Sequence, residues 1–599
     1  MAEKYYVTTP IYYANGPAHI GGAYTTIAAD VLARWNAILG RDVFFLTGTD
    51  EHGKKVQETA EKKGISPKEF VDGIVEKWKE TFKLLNISNN NFIRTTDSFH
   101  EKEVKKMLQT LYDKDLIYKG EYEAYYCVGC EQYLTKSDLV DGVCPLHKRE
   151  PELKREEAYM FRLSKFQDEL VSLIENGKYC ILPEKRRKEI LQFIRGGLND
   201  VSISRLKSSV SWGIELPFDK NHCAWVWPDA FWNYLTGLKQ KNAFDEFWPP
   251  TIQLMAKDIF RVHATIWPAL LLGAGIELPK KLFIHGFFTS GGQKMSKSLG
   301  NVIDPNIWVK KYGADSVRYF LMRQISFGED GDISEDALIR RHNDELANKL
   351  GNLVSRVSVL AENNGIEETD NNLIKKLDRA KIEKLFEEIK IDKVLNEIFA
   401  FIDVCNEYIQ EKKPWKTKDK KVLFELVEAI REIAKLLSPF IPETAGKINV
   451  IFSGSKIKKA PVLFEKIELE KETKQNLNKS EEPKEIMEGV TTIEYSDFEK
   501  LDMRVAEVLE VSEIEGADKL WKLDIDTGID KRVICAGLKP YYSAKELKGR
   551  KIIVLVNLKP RKLRGIESQG MLLAASSEDH STVSLLGVDG KAEVGDKVS

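Results

Sequence analysis

A short basic motif, Lys294-Met295-Ser296-Lys297-Ser298, carries the clearest chemical signal in the chain. Gly291 and Gly292 precede it, separated from Lys294 only by Gln293, so we expect its lysines to lie on a loop with a flexible hinge. Two ammonium groups on long side chains suit a mobile clamp on a polyphosphate, because each can follow negative charge as it develops during a reaction. A solvated basic loop is the alternative interpretation. The motif makes Lys294, Ser296 and Lys297 candidates for a polyphosphate site.

The segment His19-Ile20-Gly21-Gly22 is a second phosphate candidate. It lies at the start of an alanine-rich stretch, residues 20–39, that we predict to be a helix. The N-terminus of a helix offers free backbone N–H groups and the positive end of the helix dipole, and both favour phosphate. His19 can donate a hydrogen bond, and Gly21 lets a nucleotide approach the backbone closely. A lone histidine before a helix can also be no more than a cap.

Four potential metal ligands occur as two pairs with thirteen residues between the pairs. They are Cys127, Cys130, Cys144 and His147. Three thiolates and one imidazole at this spacing predict a closed tetrahedral zinc site, and unligated thiols are the alternative. Because four protein ligands leave no open position, we expect one structural zinc per chain. The remaining cysteines lack metal spacing and are interpreted as packed thiols: Cys180, Cys223, Cys405 and Cys535.

The elements that must position these motifs follow the pattern of an α/β fold. Residues 4–7, 42–46 and 281–288 read as buried strands, and the last of them runs towards the basic motif. A helix is predicted to begin after Ser66, with Pro67 at its first position and Glu69 completing a capping box. Its buried face is marked by apolar residues that recur every four positions: Phe70, Ile74, Trp78 and Phe82.

The second half of the chain changes character twice. Long helical patterns, such as residues 346–361 and 421–437, predict a helical bundle. Residues 470–488 are polar and rich in lysine and glutamate, as a flexible linker is. Short apolar runs with turn signals then predict a small closed β-barrel, and these runs are residues 504–511, 521–526, 532–536, 551–556 and 571–575.

These patterns predict a multidomain α/β protein with six segments. Residues 1–116 and 226–333 form the two halves of a parallel-sheet α/β domain that carries both phosphate candidates. Residues 117–225 form an insertion with the metal ligands and the segment that follows them. The helical domain takes residues 334–469, the linker residues 470–490 and the barrel residues 491–599.

Composition excludes several classes of protein. The 599 residues include 7 cysteines, and the formal net charge is -2. This charge gives no global basic field, so any nucleic-acid surface must be local. No apolar run is long enough to cross a membrane and no charged-then-apolar leader is visible, so we expect neither a membrane span nor secretion. Sparse cysteines in an odd number fit a reducing cytoplasm.

The two phosphate candidates together resemble the two sequence motifs of class I aminoacyl-tRNA synthetases. The finer resemblance covers nearly the whole chain and is to the methionyl-tRNA synthetase family. It rests on Tyr6-Val7-Thr8-Thr9-Pro10-Ile11-Tyr12-Tyr13, Phe45-Leu46-Thr47-Gly48-Thr49-Asp50-Glu51-His52-Gly53 and Lys257-Asp258-Ile259. The resemblance implies a Rossmann-like catalytic domain whose two motifs meet at the carboxyl edge of the sheet. It also implies activation of L-methionine with ATP, release of pyrophosphate and transfer of methionyl to tRNA(Met).

The resemblance further implies roles for individual residues. Asp50 would hold the ammonium group of methionine, and Asp258 would contact the ribose of ATP. The ATP site, with Mg²⁺ accompanying the nucleotide, would comprise His19, Gly21, Gly22, Asp258, Lys294, Ser296 and Lys297, of which His19, Lys294 and Lys297 would be catalytic. The methionine side chain would lie among Ile11, Tyr13, Trp227, Ala230, Tyr234, Ile259 and His263. Plain core packing is the alternative for each aromatic residue.

Contacts to tRNA are implied in two places. Asn352, Arg356 and Trp415 match the anticodon readers of the family, and the first two are four residues apart on one helix face. A buried tryptophan beside a surface ion pair is the alternative there. The last hundred residues resemble the oligonucleotide-binding-fold tRNA-binding domain appended to some methionyl synthetases, which in the family often pairs subunits, so we expect a homodimer. Its basic positions suit phosphate contacts and are Lys559, Arg561, Lys562 and Arg564.

The sequence departs from the family pattern near the nucleotide. Gly22 stands where a second histidine is usual, and Gln253 stands where another histidine is usual, so two imidazoles would be missing near ATP. A catalytically impaired, tRNA-binding paralogue is therefore the main alternative. If the absence of the second histidine is a handicap, Gly22→His would raise the rate of amino-acid activation. A class I synthetase for another amino acid is disfavoured, because the insertion is too short for the large editing domain of the isoleucine, valine and leucine enzymes and because the implied pocket residues point to methionine.

Overall fold

The structure, a computed structural model, describes residues 2–130, 132–134, 139, 142–145, 147–290, 293–295, 302–468, 500–576, 582–588 and 592–598. The chain forms two compact units, Met1–Glu472 and Thr473–Ser599. The predicted linker, residues 470–490, lies outside the described residues. Among the described helices, none combines the length and the apolar character needed to cross a membrane.

A seven-stranded sheet, in which all the pairings are parallel, lies at the centre of the first unit. Its order is Tyr12–Tyr13, Asp42–Asp50, Lys4–Thr8, Ile252–Ala256, Lys281–His285 and Cys180–Leu182, and Asn91–Arg94 also pairs with Asp42–Asp50. Val7 lies opposite Phe45 and Ile252 in the two neighbouring strands. The strands predicted at residues 4–7 and 42–46 are thus members of one sheet, and so is Lys281–His285, whereas the end of the strand predicted at residues 281–288 belongs to another sheet.

The two faces of the sheet are buried in different cores. Val7, Phe45 and Phe283 pack in the core that contains the first helix, Ile20–Ile38, and much of the helical bundle. The neighbouring residues Tyr6 and Phe44 point into a second core on the opposite face. Burial on both faces explains why these strands read as continuous apolar runs, since successive strand residues face opposite sides.

The predicted helix after Ser66 is present as Pro67–Leu84. The Ser66 hydroxyl accepts a hydrogen bond from the Glu69 backbone N–H at 3.2 Å, and Phe70, Ile74, Trp78 and Phe82 are buried. The other α-helices that surround the sheet are Ile20–Ile38, Lys54–Lys62, Ser98–Asp113, Gln167–Glu175, Glu184–Arg195, Val226–Ala230, Asn233–Lys239, Phe244–Phe247, Phe260–Ala264, Ile266–Ala274, Pro305–Tyr312 and Ala314–Arg323.

The first unit also contains smaller sheets. Four antiparallel strands occur in the order Gln132–Leu134, Ile117–Cys127, Glu152–Phe161 and Val201–Ser202, and three more in the order Ser204–Leu206, Asp219–Ala224 and Glu215–Leu216. Gln293–Lys294, Phe288–Ser290 and Gly331–Asp332 form another. The strand Cys180–Leu182 lies within the predicted insertion, residues 117–225, yet pairs with Lys281–His285 of the main sheet. The predicted segment boundaries stay predictions.

The predicted helical bundle is present. Its elements are Glu335–Arg341, His342–Gly351, Asn352–Asn364, Arg379–Glu387, Ile391–Lys412, Pro414–Thr417, Lys420–Leu437 and Pro442–Ile451. Residues 346–361 are helical as predicted, but residues 346–351 belong to a π-helix, His342–Gly351. The periodicity of the apolar residues did not distinguish this wider winding from an α-helix.

The second unit is an antiparallel half-barrel of the oligonucleotide-binding type. Its strand order is Lys531–Ala536, Trp521–Asp526, Met503–Glu513, Lys551–Leu555 and Met571–Leu572, and Lys597–Val598 also pairs with Met503–Glu513. The Gln569 backbone N–H donates to the Val533 carbonyl at 2.8 Å, which brings the two ends of this path together. Two hairpins, Arg561–Leu563 with Ile566–Ser568 and Ala574–Ser576 with Val583–Leu585, complete the described strands of this unit.

Candidate active site

A cavity of about 430 Å³ opens at the carboxyl edge of the parallel sheet. The loops that follow the strands Lys4–Thr8 and Ile252–Ala256, together with the end of Asp42–Asp50, contribute to its wall. The structure places all the predicted methionine-binding residues on this wall: Ile11, Tyr13, Asp50, Trp227, Ala230, Tyr234, Ile259 and His263. Four predicted ATP-binding residues line the same cavity, namely His19, Gly21, Gly22 and Asp258.

His19 begins the first helix as its N-cap. Its Nδ1 accepts a hydrogen bond from the Gly21 N–H at 3.2 Å, so the neutral imidazole carries its proton on Nε2. The histidine is therefore a cap and a wall residue at once, and an Nε2–H is the kind of donor that a phosphate accepts from. Next to it, Thr25 lies 2.8 Å from Nε2 of the buried His285 and ties the first helix to the strand Lys281–His285.

Gly22 is fixed by packing. A Cβ atom at this position would lie 2.8 Å from Cη2 of Trp78 and 3.4 Å from Cε1 of Tyr12. These two rings stack with their centroids 4.4 Å apart, and the Tyr12 hydroxyl donates to the Gly22 carbonyl at 3.0 Å. The expectation that a histidine here would raise the rate does not fit this packing, because a side chain needs the space that Trp78 fills.

Gln253 lies inside the sheet and does not line the cavity. Its Oε1 accepts from the indole N–H of Trp267 at 3.1 Å, and its amide lies 3.5 Å from the Thr8 hydroxyl. The expectation that Gln253 leaves the nucleotide without an imidazole is therefore wrong, since the strand directs the side chain at position 253 into the core. The sequence pattern indicated that Gln253 lies close to Asp258. The direction of its side chain, however, depends on the alternation of side chains along the strand Ile252–Ala256.

The part of the cavity wall formed by Trp227, Tyr234 and His263 is aromatic and uncharged. Burial lowers the pKa of His263 to about 4, although its hydrogen bond to the Ile259 carbonyl at 2.9 Å opposes the shift. The imidazole is thus neutral at pH 7, with its proton on Nδ1 facing that carbonyl. Its Nε2 accepts from the Tyr234 hydroxyl at 2.9 Å, and Trp227 packs edge-on at a centroid distance of 5.9 Å. Such a wall suits an apolar, polarisable side chain.

Asp50 ends the strand Asp42–Asp50 at the cavity. Its carbonyl accepts from the Ala14 N–H at 2.8 Å, and its neighbour Glu51 is fully buried. Arg94 donates to both oxygens of Glu51, at 2.7 and 2.8 Å. The carboxylate of Asp50 is therefore presented by a backbone that buried partners hold in place.

The basic motif is described in part. Lys294 lies in the strand Gln293–Lys294, and its Cα pairs with that of Thr289. Ser296 and Lys297 lie outside the described residues, so their predicted nucleotide contacts stay predictions. Gly286 and Phe287 connect the carboxyl end of Lys281–His285 to the strand Phe288–Ser290, and both residues line the cavity. The basic motif therefore begins close to the cavity.

The four predicted metal ligands form one cluster, with their ligand atoms within 4.8 Å of one another. His147 Nδ1 lies 3.8, 3.1 and 3.8 Å from the sulfurs of Cys127, Cys130 and Cys144. Zinc bond lengths of about 2.3 Å to sulfur and 2.0 Å to nitrogen put tetrahedral ligands about 3.5 Å apart, so the donor set fits. A Cβ on Gly129 would lie 2.5 Å from the His147 ring, which explains the glycine.

Comparisons with known proteins agree with this site. The family model "tRNA synthetases class I (M)" matches residues 5–149 and 135–358. "Anticodon-binding domain of tRNA ligase" matches residues 370–497, and "Putative tRNA binding domain" matches residues 503–597. The chain is 44% identical over 644 residues to the methionine–tRNA ligase of Caldanaerobacter subterraneus subsp. tengcongensis, with all of both chains covered.

The chain belongs to the methionyl-tRNA synthetase family. The Thermotoga maritima methionine–tRNA ligase is 40% identical, again with 100% of each chain covered. A solved Mycobacterium tuberculosis methionyl-tRNA synthetase in complex with methionyl-adenylate is 36% identical, with a TM-score of 0.72 over 75% of this chain and 94% of that chain.

The positions that match the family's anticodon readers lie on the bundle. Asn352 is exposed at the first residue of Asn352–Asn364, and Arg356 lies one turn later. The Arg356 guanidinium lies 5.4 Å from the ring centre of Trp415, which is 38% exposed. The alternative of a buried tryptophan does not hold, and the ring retains area for stacking.

The four basic residues of the second unit lie on or beside one hairpin. Lys559, Arg561, Lys562 and Arg564 are all exposed. The turn between Arg561–Leu563 and Ile566–Ser568 takes positive φ at Arg564 and Gly565, 48° and 82°. A short, sharply turned hairpin holds these cations on the surface, as a phosphate-binding patch requires.

Sequence reasoning missed a buried polar cluster behind the cavity wall. Asp229 is fully buried and accepts from His52 and His100, which are 177 and 129 residues away in the chain. His52 follows Asp50 by two positions and Asp229 follows Trp227 by two, so both stand beside predicted methionine-binding residues. That adjacency in the sequence could have pointed to His52 and Asp229, but it did not reveal that the side chains of His52, His100 and Asp229 are in contact.

Proposed function

We propose that the protein is a methionine–tRNA ligase that activates L-methionine with ATP in this cavity. A methionine carboxylate oxygen attacks the α-phosphorus, a new O–P bond forms, and the bond to pyrophosphate breaks. The 3′-terminal hydroxyl of tRNA(Met) then attacks the activated carbonyl, and AMP leaves. The observation that carries the proposal is that one cavity brings together a helix N-terminus suited to phosphate and an aromatic, uncharged wall suited to a thioether.

The proposed roles of the wall residues follow their chemistry. The Asp50 carboxylate holds the substrate ammonium, and the apolar wall takes the side chain. Asp258 accepts from the ribose hydroxyls, while His19 and the N-terminus of the first helix bind phosphate. Lys294 and Lys297 neutralise charge on the leaving pyrophosphate, and Ser296 contacts the nucleotide. The protein thus acts by positioning the two substrates and by stabilising charge.

Two ions complete the proposal. Zinc held by Cys127, Cys130, Cys144 and His147 would stiffen the insertion, one ion per chain. Cys130 and His147 also line the cavity, so an ordered knuckle would shape its rim. Mg²⁺ would arrive with ATP and offset phosphate charge.

Recognition of tRNA would use both units. Asn352 and Arg356 would read base edges of the anticodon, and Trp415 would stack on an unpaired base. The basic hairpin would contact phosphates. We further propose a homodimer formed through the second unit, and the cytoplasm, where ATP and tRNA are available, as the place of action.

The activation step is tested by methionine-dependent exchange of pyrophosphate into ATP. We expect exchange by the wild type and a loss of about 10- to 100-fold in kcat/KM for Asp50→Asn, because a charge-assisted hydrogen bond is removed. Asp245→Asn, at an acidic residue that does not line the cavity, is the matched control. Tight tRNA binding without any methionine-dependent exchange would overturn the proposal.

The tRNA contacts are tested separately by charging. Trp415→Ala should raise the KM for tRNA(Met) by about 5- to 100-fold through lost base stacking and leave tRNA-independent exchange unchanged. An unchanged KM for tRNA would remove Trp415 from the proposed anticodon site.

A further inference from the structure

Asp229 lies behind the wall of the cavity, on the short helix Val226–Ala230, which we call the pocket helix. Trp227 and Ala230 of this helix line the cavity, whereas Asp229 points away from solvent and is fully buried. A buried carboxylate is costly unless it is paired and hydrogen-bonded. The partners of Asp229 therefore decide how firmly the pocket helix is held.

Both oxygens of Asp229 have a partner. Oδ2 lies 2.7 Å from Nδ1 of His52, and Oδ1 lies 3.0 Å from Nε2 of His100. An ionised carboxylate only accepts hydrogen bonds, so each of these ring nitrogens carries a proton. Nδ1 of His100 in turn lies 2.7 Å from the hydroxyl of Thr236, on the helix Asn233–Lys239 that also carries Tyr234.

The two histidines come from different parts of the cavity wall. His52 belongs to the turn that follows Asp50, and the intervening Glu51 is bound by Arg94, Thr49 and Thr96. His100 belongs to the helix Ser98–Asp113. One carboxylate thus joins the turn that presents Asp50 to the two helices that present Trp227, Ala230 and Tyr234.

We infer that Asp229 is a positioning residue that sets the separation between the two ends of the methionine site. This inference rests on the proposed function, in which the substrate ammonium lies at Asp50 and its thioether lies against Trp227 and Tyr234. Asp229 touches neither substrate. It acts through His52 on one end and through the pocket helix on the other, so it fixes the length of side chain that the site accepts.

Steady-state exchange kinetics of the full chain with methionine and with ethionine, which has one more methylene group, test the inference. Asp229→Asn keeps the volume but cannot accept from both histidines. We expect it to raise the KM for methionine about 10-fold and to leave the KM for ATP within about twofold. The preference for methionine over ethionine in kcat/KM should fall at least about 5-fold, because length selection is lost.

A matched pair at His52 separates position from mere stability. His52→Asn retains a donor where Nδ1 stands and should stay within about threefold of the wild type, whereas His52→Gln moves the donor by one carbon and should resemble Asp229→Asn. A loss of folded protein lowers kcat equally for both amino acids and leaves KM and the preference unchanged. If Asp229→Asn does not fold, the His52 pair decides the question.

Two results would overturn the inference. In the first, Asp229→Asn and His52→Gln lower kcat without changing either KM or the preference for methionine. In the second, His52→Asn and His52→Gln behave alike. Absence of methionine-dependent exchange in the wild type is a different result, since it removes the proposed function itself.

Discussion

Two buried carboxylates, Asp30 and Asp229, each connect several elements of the first unit, but their partners differ. Asp30 lies on the first helix and accepts from Nη2 of Arg318 and Nε of Arg34, both at 2.7 Å. Arg318 also donates to the carbonyls of Leu85, Pro439 and Phe440, so this joint connects the first helix to the bundle. Asp229 joins parts of the cavity wall to one another instead.

The partners differ in chemistry, and the difference has a consequence for pH. Burial acts to raise the pKa of both carboxyls, but their positive partners outweigh it and hold each pKa below its usual value. A guanidinium keeps its charge at every working pH, whereas an imidazole titrates near neutrality. The joint to the bundle is therefore permanent, and the joint behind the proposed methionine site responds to protons.

The largest expected effect is on the permanent joint. Arg318→Met leaves Asp30 and three carbonyls without their shared donor, so we expect the free energy of unfolding to fall by about 3–5 kcal/mol. Denaturant titration measures it. Lys79→Met, which breaks the exposed pair with Glu76, is the control and should change stability by less than about 1 kcal/mol. A loss at Arg318 as small as that of the control would contradict the importance of the buried pair.

The first helix is also fixed near its N-terminus, where Gly22 packs against Trp78. Gly22→Ala should lower the free energy of unfolding by about 1–3 kcal/mol, because its Cβ would overlap Trp78. Gly73→Ala is the matched control: it is exposed in the helix Pro67–Leu84 with nothing within 4 Å of the added atom. It should stabilise the protein by about 0.5–1 kcal/mol. Equal changes in the free energy of unfolding for Gly22→Ala and Gly73→Ala would mean that contact between Gly22 and Trp78 does not help to hold the first helix, which would leave Asp30 as its anchor.

Gly22→His adds a larger side chain at the same point. We expect it to be at least as destabilising as Gly22→Ala and to lower the rate of exchange. A faster Gly22→His enzyme of unchanged stability would mean that Trp78 moves aside without cost, and that the missing imidazole is a handicap.

The smallest expected effect separates the two joints by pH. Burial acts to lower the pKa of His52, but Asp229, Glu101 and Glu51 outweigh it and raise the pKa above its usual value. A raised pKa means that His52 stabilises the fold fully below its unfolded pKa of about 6.5, and that this contribution is lost as pH rises through the folded pKa. The destabilisation caused by His52→Asn should therefore be about 1 kcal/mol larger in mild acid than in alkali.

The same measurement on Arg318→Met should give a dependence of the opposite sign: without the guanidinium, burial raises the pKa of Asp30, so the destabilisation should be smaller in mild acid than in alkali. Comparing each variant with the wild type at the same pH cancels the contribution of His263 and His285, whose pKa values burial lowers to about 4. A pH-independent effect at His52 would show that its charge does not matter to the joint.

Local patterns in the sequence were sufficient for much of the fold. Ser66 and Pro67 located a helix start, and alternation of apolar residues located strands of the half-barrel such as Trp521–Asp526. The four metal ligands and the wall residues of the cavity were also brought together as expected. These features depend on short spacings or on a family pattern that already encodes distant contacts.

Features set by long-range packing were not predictable. Nothing near Gly22 in the sequence indicates that Trp78 fills the space beside it, and Gln253 was misplaced because the direction of a strand residue depends on its neighbours in the sheet. The π-helix His342–Gly351 likewise has the apolar spacing of an α-helix. Such details follow from tertiary contacts, which composition and periodicity do not specify.

The measurement that tests the central claim most directly is pyrophosphate exchange by the wild type with methionine, leucine and isoleucine in parallel. A cavity with the wall described here should favour methionine in kcat/KM by at least about 100-fold over either branched amino acid, because shape differences of methyl size add in a rigid apolar site. Equal or greater kcat/KM for leucine or isoleucine would contradict the assignment of this cavity to methionine.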